Sequence, residues 1–162
     1  MQYLFNLFSF AGREFALFIV SMIPFIELRG SIILGAAMNI DWLSVFIISV
    51  IGNILPVPFI IIFGRKIISW LKTTKLFSKF TEKHEMRLMH KARKLAKYTV
   101  WGLLLFVAIP LPGTGAWSGS FIAALLDIRM KSAFPAISLG VIIAGIIMTI
   151  GSYGIFNIIQ AL

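Results

Sequence analysis

From Trp42 to Gly64 the chain reads WLSVFIISVIGNILPVPFIIIFG, without one charged side chain. A helix of about 20 apolar residues crosses a hydrocarbon core of ~30 Å, so this run is long enough to span a bilayer. The sequence then turns basic: between Arg65 and Lys97 stand eleven Lys/Arg and two Glu. That window carries the whole formal net charge of +9, and everything outside it sums to zero. A second long apolar run, SAFPAISLGVIIAGIIMTIGSYGIF, begins at Ser132. With 59% hydrophobic residues and a mean hydropathy of +0.97, the composition is that of a membrane protein.

The charge pattern sets an expected topology. Lys and Arg beside spanning segments are retained in the cytoplasm, which places residues 65–97 on the inner side of a bacterial-type cytoplasmic (inner) membrane in a multi-pass protein. Apolar residues at helical spacing among these lysines, such as Trp70, Leu71, Phe77 and Leu88, predict amphipathic helices lying on anionic lipid head groups. A basic stretch between membrane segments is a topology signal, and no nucleic-acid partner is expected. Residues 1–12 hold no Lys or Arg and no Ala-x-Ala site follows, so the N-terminus is expected to be retained. Residues 1–14 read as an interfacial helix.

Each half contains shorter apolar runs ahead of its long one. In residues 15–64 they are FALFIVSMIPFI and SIILGAAMNI, separated by ELRG; in residues 98–162 they are TVWGLLLFVAIP and SFIAALL, separated by LPGTGAWSG. The first two reach only ~15–18 Å at ~1.5 Å per residue, half of a bilayer core. Ile23-Pro24 and Asp41 recur at one constant spacing as Ile109-Pro110 and Asp127, while Phe46 and Gly52 find Phe134 and Gly140 after a shift of two. The expected fold is therefore all-α, with two inverted repeats, each a re-entrant helical hairpin followed by a transmembrane helix, joined by the basic cytoplasmic segment. Irregular backbone at membrane depth is tolerated where it is buried in protein or lines a wet cavity.

No cysteine is present, which excludes disulfides and thiolate chemistry. His84 and His90 in HEMRLMH lack the spacing of a zinc-protease motif, so no metal is expected. The glycines of PLPGTGAWSG lack the strand and βαβ unit that a dinucleotide loop needs, and no cofactor is expected. Without paired carboxylates or a nucleophile–base set, the sequence predicts no enzyme.

Glu27 and Arg29 stand inside the apolar body, at the tip of the first hairpin. An unpaired charge there costs ~3 kcal/mol on insertion scales, which makes both functional candidates. Arginine offers a fork for phosphate or carboxylate, and glutamate a charge partner or proton carrier; alternatively the two form an ion pair that pins the tip against the second half. Pro24 breaks the helix ahead of them and Gly30 permits a tight turn after them. At the opposite tip Pro110, Pro112, Gly113, Thr114, Gly115, Trp117 and Ser118 offer freed backbone groups and hydroxyls for a polar substrate or ion. Asp41 and Asp127 are the acidic residues at the two hairpin exits.

The motifs PFIELRGSIILGA and IPLPGTGAWSG, with two hydrophobic repeats around a basic middle, resemble the small multidrug export protein family over nearly the whole chain. That family is similar in turn to the DedA (SNARE-associated, VTT) membrane proteins. This resemblance implies paired re-entrant hairpins, and transport of lipid carriers such as undecaprenyl phosphate or proton-dependent drug tolerance. It supports Glu27, Arg29, Pro110, Pro112 and Gly113 as site residues. Thr114 stands where the DedA pattern commonly has an acid, and the second tip has no arginine. The expected function is a small transporter or flippase for an amphipathic molecule or lipid phosphate, by alternating access, with a passive scramblase or a non-transporting scaffold as alternatives. A homodimer would shield the hairpins from lipid.

Overall fold

The computed structural model describes residues 2–73, 100–111 and 113–161, with side chains over 12–66, 100–111 and 113–155. The basic connector beyond Thr73, His84, His90 and Pro112 lie outside the described residues. Every described element is a helix: α1 (Gln2–Met22), α2 (Glu27–Ala37), α3 (Trp42–Ile54), α4 (Val57–Thr73), α5 (residues 100–108), α6 (Ala116–Leu125) and α7 (Met130–Ala161). There is no strand among the described residues.

Proline and glycine placement explains most boundaries. Pro24 lacks an N–H and disfavours helix at the residue before it, so α1 stops at Met22. Nothing comparable interrupts the chain at Arg13–Glu14, and the predicted interfacial segment and first hairpin arm form one continuous helix. Pro56 and Pro58 divide α3 from α4, yet the Ile60 N–H still donates to the Pro56 carbonyl at 2.9 Å and the Leu55 N–H to Ile51 at 3.0 Å. The helix thus resumes at once, and Trp42–Lys66 forms one apolar span of mean hydropathy 2.5. Met130–Ile155, at 2.3, is also long and apolar enough to cross a membrane.

The first tip turns where the sequence did not point. The tight turn assigned to Gly30 is made instead by residues 23–26, with Phe25 and Glu27 at φ 72° and 50°. Left-handed backbone at a non-glycine residue costs ~1–3 kcal/mol and persists only where surrounding contacts hold it. Gly30 is helical within α2, where its missing side chain leaves room for Ile26.

Both short helices end alike. The amides of Met38, Asn39 and Ile40 donate to Leu34, Ala36 and Gly35, and those of Leu126, Asp127 and Ile128 donate to Ile122, Ala124 and Ala123. Asn39 and Asp127 hold the left-handed position, at φ 52° and 50°. This corrects the alignment read from the sequence, because Asp127 corresponds to Asn39 and Asp41 falls on Arg129. The register is the one that carries Gly52 onto Gly140. Gly52 packs against Ser21 and the Phe18 carbonyl, and Gly140 against Val107 and the Leu104 carbonyl.

The core gathers Leu17, Leu28, Ile32, Val45, Ile61, Val107 and Ile137 from both halves. α2 lies against α1, α3 and α7, while α6 lies against α4 and α7. Ser31 Oγ donates to the Leu17 carbonyl at 2.9 Å and pairs with Ser49 Oγ at 2.7 Å, fully buried between helices. Outside, Phe15, Phe59, Phe63, Trp101 and Ile150 are more than half exposed. Small polar groups within and large apolar ones without is the distribution that lipid selects, since lipid gives apolar side chains no reason to hide and polar groups every reason to find partners.

Candidate functional site

The 23–26 turn delivers Glu27 and Arg29 to the first turn of α2, facing the connection between α5 and α6. That connection bends at Gly113, φ 85°, and Gly115, φ 140°, conformations that L side chains rarely adopt. Gly115 is the N-cap of α6 and has no side chain with which to cap it.

Glu27 does so from the other half of the chain. Its carboxylate, 5% exposed, accepts the Trp117 backbone N–H at 3.0 Å. A Cβ on Gly115 would run into both carboxylate oxygens, so the glycine is what lets the acid reach the helix end. Trp117 in turn donates its indole Nε1–H to the Met22 carbonyl at 3.1 Å, closing the end of α1.

Arg29 performs the opposite task. Its guanidinium donates to the Leu111 carbonyl, to Thr114 Oγ1 at 2.6 Å and, more weakly, to the Ile109 carbonyl at 3.4 Å. Thr114 Oγ1 lies 2.7 Å from the Ile109 carbonyl and 2.8 Å from that of Leu111, so its single proton serves one of them at a time. The N-terminus of a helix carries partial positive charge and its C-terminus partial negative. The acid therefore meets the positive end of α6, and the base meets carbonyls just past the negative end of α5. Among the described residues the two charges are bonded to the other half and not to each other.

Of the remaining residues singled out in the sequence, Pro24 and Pro110 are half-buried at their tips and Gly113 is exposed. Ser118 is half-buried on α6 outside the bonded cluster; the buried serine there is Ser120, which donates to the Ala116 carbonyl at 2.6 Å. Asp41 caps α3, accepting from the amides of Leu43 and Ser44 at 3.1 and 3.2 Å. Asp127 lies 3.5 Å from Arg65 Nε, whose guanidinium also donates to the Ile128 carbonyl. At the other exit the Tyr153 hydroxyl donates to the Ile40 carbonyl at 2.7 Å. At the spacing that carries Gly52 onto Gly140, Tyr153 corresponds to Arg65 and Ile40 to Ile128, so each long apolar helix reaches across to the end of the short helix of the other half.

Sequence reasoning missed Arg65 and Tyr153, and it missed Asn53. Asn53 is 2% exposed, and its Oδ1 finds no donor among the described groups. It lines a water-sized cavity of about 10 Å³ together with Glu27, Gly115 and Val141. A polar amide inside VIGNILP was the available signal. No cluster of His, Asp and Glu suited to a metal occurs among the described residues.

Fold, surface and centre together point to a helical membrane protein in which two charges of an apolar stretch, Glu27 and Arg29, are held by helix ends of the other half. The chain belongs to the family described as "Putative small multi-drug export protein", whose model matches residues 27–147, a stretch that begins at Glu27, just after the first turn, and includes Arg29, the second tip, Asp41 and Asp127. No curated protein and no solved structure matches it.

Proposed function

We propose that this protein is a small secondary transporter or flippase that moves an amphipathic substrate by alternating access between two inverted repeats with re-entrant hairpins. One observation carries the reading: Glu27 and Arg29, inside an apolar body, are each bonded to backbone of the opposite half. Bonds that join two halves across a midplane can be exchanged for bonds to a substrate when the halves part. Once released, Arg29 receives an anionic head group, and Glu27 balances its charge or carries a proton.

Helix lengths support the hairpins. α2 has 11 residues and α6 has 10, or roughly 16 and 15 Å at ~1.5 Å per residue. Neither reaches across a core of ~30 Å, but two such arms set tip to tip do. The exits support the inversion, because the first is tied to Tyr153 near the end of the last helix and the second to Arg65 beside the basic connector. On this reading, the arrangement with both ties closed serves as the occluded state. Beside the Tyr153 tie an apolar groove of about 420 Å³, lined by Trp42, Phe46, Ile146 and Ile150, suits an aliphatic tail. The family description supports export as the activity. Kinship with DedA proteins, and a lipid phosphate as substrate, are part of the same proposal and rest on the two tip motifs.

The test uses the cysteine-free chain. Single cysteines at Phe25, which is fully exposed, and at Gly113, which has open space around it, are probed from each side of a membrane with impermeant thiol reagents. The expected result is midplane reactivity that changes side with substrate or pH. Fixed interfacial labelling at both positions would overturn the re-entrant reading and favour a scaffold. In reconstituted vesicles, flux is expected to fall at least tenfold in Arg29→Gln and Glu27→Gln, about the loss that ~1.4 kcal/mol represents; normal flux in both would remove these residues from the site.

A further inference from the structure

The surroundings of Arg29 belong to a different part of the chain and exist without it. Ile109 and Leu111 lie just past the last turn of α5, where carbonyls have no partner inside a helix. Thr114 folds its hydroxyl back onto the same two carbonyls, and its amide donates to Leu111 at 3.2 Å. The result is a cradle of three oxygen acceptors at the negative end of a helix, with the Glu27 carboxylate on the neighbouring α6 N-terminus. The Leu111 amide also donates to the Ile109 carbonyl at 2.9 Å. Each of the three oxygens has two lone pairs, so these contacts within the tip still leave acceptor capacity for an outside donor. In this structure that donor is the guanidinium of Arg29, which is all donor and no acceptor.

We propose that the cradle of Ile109, Leu111 and Thr114 is a binding site for an organic monocation bearing N–H donors, a guanidinium or a primary ammonium, and that Arg29 is its tethered occupant in the closed molecule. Its use rests on the alternating-access reading: when the halves part, Arg29 leaves with the first tip and the vacated acceptors take a cationic group from the substrate. Binding itself requires no transport. The cradle discriminates by chemistry. Anions meet lone pairs, and quaternary ammonium ions bring charge without the N–H groups that the carbonyls need.

The full chain in lipid nanodiscs tests this by chemical rescue, with thermal unfolding as the readout. Propylguanidinium, the portion of the side chain that Arg29→Ala removes, is expected to raise the unfolding midpoint of that variant by several degrees, saturably and at millimolar concentration. Wild type, already occupied, is expected to stay unmoved under the same conditions. Tetramethylammonium at equal ionic strength should not reproduce the shift. Adding Thr114→Val to Arg29→Ala should weaken the response several-fold. An equal response to both cations, or none, would overturn the site. Should Arg29→Ala fail to fold, Arg29→Gln keeps N–H donors at the tip; a smaller saturable shift is expected there, and its absence counts equally against the proposal. The two readings fail separately: a protein that binds propylguanidinium and moves nothing keeps the site and loses transport, whereas transport without any cation response does the reverse.

Discussion

The two tips are unlike in composition and complementary in what they lack. The first carries both Glu27 and Arg29 and folds over two strained left-handed residues, Phe25 and Glu27. The second carries no charge, turns on glycines, and presents an uncapped helix start at Trp117 and, at Ile109 and Leu111, carbonyls with acceptor capacity to spare. Alone, each is defective: one would bury charges without partners, the other helix ends without caps. Together they satisfy each other, which makes their packing specific without an ion pair between Glu27 and Arg29 among the described residues. The exits differ in a milder way, since Arg65 ties one through charge and Tyr153 ties the other through a neutral hydroxyl.

The most forceful way to break the complementarity is Gly115→Ala. The substitution adds strain at φ 140° and drives a methyl into the Glu27 carboxylate, for a combined loss of more than ~3 kcal/mol. Gly113→Ala, strained at φ 85° but in open space, is expected to cost ~1 kcal/mol. Thermal unfolding in a mild detergent checks the pair, and equal losses would mean that the tips are not interlocked at Gly115. Next come the charges. Glu27→Ala leaves the half-buried Trp117 amide without its acceptor, worth ~1–3 kcal/mol, whereas Glu27→Gln keeps a carbonyl oxygen in reach and should lose less.

The exits offer finer tests. Tyr153→Phe removes one half-buried hydrogen bond and is expected to cost ~1 kcal/mol irrespective of salt. Disruption of the Arg65–Asp127 pair should cost less and be masked by high ionic strength, because Asp127 is 78% exposed. A salt-insensitive loss on Asp127→Ala would instead show that its backbone position matters more than its charge. The smallest effect is expected for Asp127→Asn, which installs the residue found at the matching position 39, itself suited to left-handed backbone. A loss above ~1 kcal/mol there would undo the correspondence between the exits.

Much of this arrangement was legible in the sequence, for reasons that are local. The uncharged run 42–64 gave a span whatever its neighbours did, and Pro24 had to end a helix. Counting residues gave short helices at α2 and α6 but not the first arm, which is part of the 21-residue α1, and Glu27 and Arg29 declared themselves by being charged in an apolar stretch. The second tip was flagged by its glycines, two of which do take positive φ. Reading failed where the deciding partner was distant. Gly30 looked like the turn, but the turn's strain is held at Phe25 and Glu27 by contacts that local propensity does not contain. Asp41 and Asp127 looked equivalent because they share a side chain, yet their backbone roles differ: one caps a helix start and the other sits in a helix end.

The sequence by itself determined which segments are apolar enough to cross, where the helices break and which charges are out of place, because hydrophobicity and proline chemistry act within a few residues. Only the tertiary structure decided what those charges do. A carboxylate beside an arginine two positions away invites an ion pair on paper. In the folded chain, positions two apart on α2 aim them at opposite poles of two helices far away in sequence, and unsatisfied helix ends in a low-dielectric interior compete for charge as strongly as a countercharge does.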